Sequence, residues 1–131
     1  MNEVCKLLKQ AGVWFLATIE DGQPRVRPFS PIHIFDGKLY FMTAHSKKVS
    51  KQMALNNQVE ISAMVGEGTW IRITARTVND DRREARAAFL EAYPNLKNAH
   101  PLDDPDTHVL YLSEAEAIVE SFGGKKRIIK F

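Results

Sequence analysis

Two Asp-Gly pairs, Asp21-Gly22 and Asp36-Gly37, each interrupt a stretch rich in β-branched and aromatic residues. Asp-Gly accepts the left-handed backbone of the tightest two-residue turns. Each pair therefore marks a hairpin and makes its flanking segments antiparallel. Residues 13–20 and 23–30 flank the first turn, and 32–35 and 38–43 flank the second. Pro24 and Pro28 mark the 23–30 segment as an edge strand or an irregularly paired one. Ile71, Ile73 and Ala75 then alternate with Arg72, Thr74 and Arg76, the pattern of a strand with one buried and one wet face. Residues 59–65, 70–78, 108–112, 115–122 and 126–131 also read as strands. Six or more short strands joined mostly by tight turns predict an antiparallel barrel.

Three helices interrupt the strands, which makes the expected class α+β, mainly β. Val4, Leu7, Leu8 and Ala11 recur at helical spacing over 2–11, and Gly12 ends that segment. A second helix is predicted over 46–56, with Ser46 as N-cap and Val49, Met53 and Leu55 as its apolar stripe. The third spans 81–93, where Asp81 and Glu84 fit a capping box ahead of Ala85, Ala88, Phe89 and Ala92. The proline- and Asp-rich stretch 94–106 reads as a surface loop. A chain of 131 residues suffices for one domain with a real core, so a single domain over 1–131 is expected.

Composition narrows the function classes. Hydrophobic residues make up 44% and charged residues 26%, a globular rather than disordered balance. A net charge of +2, with lysines not interleaved with exposed aromatics, gives no support for nucleic-acid binding. The single cysteine, Cys5, cannot form an internal disulfide and is read as packing. No apolar run reaches membrane-spanning length, and MNEVCKLLKQ lacks a signal-peptide pattern. A soluble, cytoplasmic protein without membrane contact is therefore expected. His33, His45, His100 and His108 show no ligand spacing, so no metal site is expected. No nucleophile elbow, P-loop or dinucleotide fingerprint occurs, and Ser30, Ser50 and Ser121 have no base visible in the sequence. Trp14, Phe15, Phe41 and Phe89 are read as core, and Trp70 as either core or interface.

The chemistry concentrates in LYFMTAHSKKVSKQM, residues 39–53. A strand ends near Thr43, a turn follows with Ser46, Lys47 and Lys48, and a helix begins. Hydroxyls, ammonium groups and unpaired helix N–H groups would converge there, which is what a phosphate requires. A capped surface helix with solvated lysines accounts for the same residues. Upstream, Arg25 and Arg27 alternate with Val26 and share one face of their strand. Pro28 removes a backbone donor and is expected to leave the strand locally irregular, with backbone groups free for the edge of a flat ring. Two solvated arginines are the plainer alternative.

In order, Pro24-Arg25-Val26-Arg27-Pro28, Leu39-Tyr40-Phe41-Met42-Thr43, Ser46-Lys47-Lys48 and Gln52 resemble the FMN-binding split-barrel family related to pyridoxamine 5′-phosphate oxidase. The resemblance covers nearly the whole chain. It implies a six-stranded antiparallel split β-barrel with flanking short helices, FMN as cofactor, and a homodimer with two FMN sites at its interface. By that resemblance Thr43, Ser46, Lys47 and Lys48 hold the phosphate. Arg25, Arg27, Pro28 and Phe29 lie near the ring, and Gln52 adds a polar contact. Trp70 and residues 126–131 are candidates for the partner protomer's share. Phe29-Ser30-Pro31 and the terminal GGKKRIIKF depart from the enzymes that oxidise pyridoxamine phosphate, and the short form is similar to the nitroimidazole-reductase-related branch. The implied activity is an FMN-dependent oxidoreductase acting on a small molecule with NADH or NADPH as electron donor, with no catalytic residue assigned. A non-enzymatic flavin- or haem-binding protein, or a deazaflavin-dependent reductase, are the alternatives on the same fold.

Overall fold

The computed structural model describes residues 1–131. Its elements are α1 (Asn2–Ala11), β1 (Trp14–Glu20), β2 (Gln23–Phe29), β3 (His33–Phe35), β4 (Lys38–Ala44), α2 (Lys48–Leu55), β5 (Gln58–Gly66), β6 (Thr69–Asn79), α3 (Arg83–Ala92), β7 (Thr107–Ser121) and β8 (Lys126–Lys130). Both hairpins form where Asp-Gly placed them. Asp21 and Gly22, and likewise Asp36 and Gly37, all have positive φ, between 50° and 79°.

Eight strands rather than six make one antiparallel sheet, in the order β2-β1-β5-β6-β7-β4-β3, with β8 added along β7. The strands expected at 108–112 and 115–122 are a single strand, β7. It passes through Glu114, a non-glycine residue at φ 50°, and its register against β6 shifts there. Before that bend β7 pairs with β4, and beyond it with β8. One strand therefore turns a corner of the barrel where the alternation pattern breaks. The sheet ends on β2 and β3, the open seam of a split barrel. β2 is indeed an edge strand, but its pairing with β1 is continuous from Gln23 to Phe29, so the irregularity expected at Pro28 is absent. An edge strand needs donors on one side only, which is why two prolines fit.

The barrel interior is filled by Trp14, Leu16, Phe41, Ile61, Ile71 and Ile73, all buried, and α1 closes one side with Val4 and Leu8. Cys5 is buried among them. A second cluster packs α3, through Ala85, Phe89 and Leu90, against Tyr40, Met42 and Val109. The capping box expected at Asp81 does not form: Arg82 holds the N-cap position of α3 with no side-chain cap, and Asp80 braces that residue instead. Its carboxylate accepts the Arg82 N–H and the Arg82 guanidinium, and also the Tyr40 hydroxyl at 2.6 Å. Phe15, read as core, is instead 46% exposed. It belongs to the outer face of the first hairpin, where the pairs Phe15–Pro28, Ala17–Val26 and Ile19–Pro24 are all apolar. No helix is long and apolar enough to cross a membrane.

Candidate functional site

The two segments singled out by their chemistry meet. A cleft of about 440 Å³ is lined by Glu20, Arg25, Val26 and Arg27 from the first hairpin and by Lys47, Lys48, Val49 and Gln52 from the start of α2. Arg25 and Arg27 lie on the inner face of β2, opposite Thr18 and Leu16 of β1, and α2 packs over that face.

The turn from β4 into α2 is shorter of helix than expected. The helix begins at Lys48, Lys47 occupies the N-cap position, and no side chain caps it. Ser46, the expected cap, faces elsewhere. Its N–H and its hydroxyl donate to the two carboxylate oxygens of Asp106, each at 2.8 Å, and the His45 N–H donates to the Asp106 carbonyl at 2.8 Å. These bonds hold the Asp106 carboxyl below the usual carboxylate range, the Ser46 hydroxyl contributing most. The Ser50 N–H already donates to the Lys47 carbonyl at 3.2 Å, while the N–H groups of Lys48 and Val49 have no intrahelical acceptor. With two exposed lysines beside them, they form an unshielded patch of donors and positive charge. Thr43, at the end of β4, is only 2% exposed, and its hydroxyl has no hydrogen-bond partner.

The other expected residues are engaged differently. Arg27 reaches inward. One guanidinium nitrogen donates to the Leu16 carbonyl (3.1 Å) and the Thr18 hydroxyl (2.7 Å), and the other to the Gln52 amide oxygen (2.6 Å). Gln52 is buried, accepts the Thr18 hydroxyl as well, and donates to Glu20 at 3.2 Å. That last bond is the main cause of the lowered Glu20 pKa, with the charges of Arg25 and Lys48 adding to it against the effect of burial. Arg25 pairs with Glu20 at 3.2 Å and is half exposed. Pro28 and Phe29 point to opposite faces. Pro28 lies on the outer surface, while Phe29 stacks on Trp14 with ring centroids 5.0 Å apart. Trp70 is half-buried near one end of the sheet, 5.1 Å from Phe122.

Thr18, Glu20, Asp106 and His108 complete the neighbourhood; sequence reading gave the first three no role and weighed His108 only as a metal ligand. Ser50 does have an imidazole beside it. Its hydroxyl donates to the Ala44 carbonyl at 2.8 Å, which leaves Ser50 Oγ to accept from His108 Nδ1, 2.7 Å away. His108 Nε2 is 2.7 Å from Asn79 Oδ1, and His45 stacks on the ring. Burial first, and the His45 charge second, push the His108 pKa down to about 4. Ser50 and His108 are 5% and 3% exposed, so this chain braces the turn against β6 and β7 and offers no nucleophile to a substrate. No group of three or more His, Cys, Asp or Glu side chains is placed to hold a metal ion.

The family model for pyridoxamine 5′-phosphate oxidase matches residues 1–118. The chain belongs to that family. A NimC/NimA family protein from Clostridium acetobutylicum is 44% identical. The alignment covers 100% of this chain and 92% of that one, with a TM-score of 0.96. A pyridoxamine 5′-phosphate oxidase-related, FMN-binding protein from Nostoc punctiforme shares the fold at 13% identity and a TM-score of 0.65, over 99% and 95% of the two chains. A haem-binding protein from Mycobacterium smegmatis does so at 16% identity and a TM-score of 0.72, over 95% of this chain and 57% of that one. No curated protein matches the chain. An uncapped helix start and two lysines without an ion-pair partner wall the cleft, a donor set whose chemistry suits a phosphorylated group; Thr43, whose buried hydroxyl has no partner, and Ser46 are not among the cleft-lining residues.

Proposed function

We propose that the protein is an FMN-dependent oxidoreductase working as a homodimer, with residues 1–131 acting as one domain that supplies part of each of two interfacial sites. One observation carries the reading. Arg25, Arg27, Lys47, Lys48 and Gln52, far apart in sequence, wall a single cleft whose base is an uncapped helix N-terminus. The flavin would take hydride from a reduced nicotinamide and pass electrons to a small oxidised molecule such as a nitroaromatic or a quinone.

The residues divide the work. Lys47, Lys48 and the first N–H groups of α2 would bind the phosphate, with Thr43 supplying a hydroxyl and Ser46 shaping the turn. Arg27 and Gln52 orient the cleft wall by bonding to each other and to β1. Arg25 remains half exposed at the cleft, where its charge can answer the negative charge that accumulates on the bound ring during reduction. Pro28 and the apolar outer face of the first hairpin give the partner protomer a surface to cover, with Trp70 and 126–131 as further contributors. Hydride transfer demands no protein acid or base, so none is assigned.

The absorption spectrum of the purified protein tests the reading first. A flavin spectrum that bleaches anaerobically with NADH or NADPH supports it. A haem spectrum, a deazaflavin spectrum or a flavin that no nicotinamide bleaches would replace it with a binding protein or a related reductase. Lys47→Ala combined with Lys48→Ala is expected to weaken FMN at least tenfold and riboflavin little, because only FMN carries the phosphate. Equal weakening of both would remove the phosphate assignment.

A further inference from the structure

A serine hydroxyl has one proton to donate. At the turn, that proton is already committed: Ser46 Oγ donates to Asp106 Oδ2 at 2.8 Å. Asp106 is no stray surface charge that happens to meet a serine. Its carbonyl accepts the His45 N–H at 2.8 Å, its second carboxylate oxygen accepts the Ser46 N–H at 2.8 Å, and its own N–H donates to Asp104 Oδ1 at 2.8 Å. Thr107 ties the same loop down through a bond from its hydroxyl to the Pro101 carbonyl at 2.7 Å. The carboxylate is thus held in place by its own loop, and the turn leans on it.

We propose that Asp106 is a positioning residue of the anion turn, and that it withdraws the Ser46 hydroxyl from the donors that grip the phosphate. This rests on the phosphate reading above and refines it. Asp106 pins His45 and Ser46 so that Lys47 and the α2 N–H groups face the cleft. In doing so it consumes one donor and leaves a negative charge beside the site. The phosphate is then gripped by backbone, lysine and Thr43 donors, and its affinity is held below what the turn could reach.

Flavin-free protein titrated with FMN and with riboflavin, followed by flavin fluorescence, tests this without any turnover. Ser46→Ala is expected to change the FMN Kd by less than threefold, since the hydroxyl it removes serves Asp106. Asp106→Asn keeps an acceptor for the Ser46 N–H, turns the other atom into a donor, frees the serine proton and removes the charge. FMN should bind about tenfold tighter while riboflavin stays unchanged. Adding Ser46→Ala to Asp106→Asn should cancel most of that gain. A loss of more than threefold for FMN alone in Ser46→Ala would show that the hydroxyl already serves the phosphate and would overturn the proposal. So would an Asp106→Asn protein that binds FMN no tighter. Failure of the phosphate reading looks different: the double lysine variant would lose FMN and riboflavin alike, and this inference would fall with it.

Discussion

The Thr43 hydroxyl is buried at the end of β4 and bonds to nothing in the protein. A buried hydroxyl without a partner lowers stability, whereas removing it while keeping the shape costs little or helps. Thr43→Val should therefore leave the flavin-free protein as stable as the parent, or stabilise it by up to about 1 kcal/mol, in urea denaturation. The same substitution should weaken FMN about tenfold and spare riboflavin, because a charge-assisted bond to phosphate is lost. Opposite signs for folding and binding would mark the residue as one kept for its ligand. A variant that destabilises the protein and binds FMN normally would mark it as structural. The gathering of Thr43, Lys47 and Lys48 around one turn was legible in the sequence because hydroxyls and ammonium groups cluster there. Asp106 was not: it joins Ser46 across 60 positions, and nothing in a run of prolines and acids says which carboxylate will fold back.

At the level of elements, α2 is held to the barrel by polar as well as apolar contacts. Val49 and Met53 bury one stripe, and Gln52 carries the buried network with Thr18 and Arg27. The guanidinium fork bonds to β1 and α2 at once, a task one ammonium cannot perform. Arg27→Ala should cost about 2–3 kcal/mol, since charge-assisted bonds vanish and the Leu16 carbonyl loses its side-chain donor. Amide exchange should speed up in α2 and the first hairpin while β6 and β7 keep their protection. Arg27→Lys should recover only part of the loss. Uniform acceleration across the sheet would instead make Arg27 a contributor to global stability. The position of α2 was readable from the spacing of Val49 and Met53, but its first residue was not, and Leu55, expected on the same stripe, is 91% exposed. Ser46 is a good N-cap by type, yet a stronger acceptor from another element claimed it.

Over the whole molecule, the outer face of the first hairpin is the anomaly. Val26 is 68% and Phe15 46% exposed, flanked by Pro24 and Pro28 on an edge strand. An all-apolar strand pair on a surface calls for a cover. A second copy would supply it and would bring the two clefts close to the interface. Val26→Asp should shift the protein toward monomer in sedimentation analysis and weaken FMN in parallel. A dimer of unchanged mass would exclude this face. The substitution lies on the surface, so the fold should survive it.

The antiparallel class, both hairpins, three helices and the cluster of hydroxyls and lysines at one turn follow from local rules acting over a few residues: Asp-Gly turns, period-two alternation, helical spacing, and hydroxyls beside lysines. Family membership was legible for the same reason, as an order of local motifs. Strand pairing order, the merging of two expected strands into β7, the inward turn of Arg27, the exposure of Phe15 and the claim of Asp106 on Ser46 were decided by the tertiary structure alone. Each depends on which distant segment arrives at a given face. Burial and hydrogen-bond satisfaction settle that choice only once the whole barrel has closed around its core.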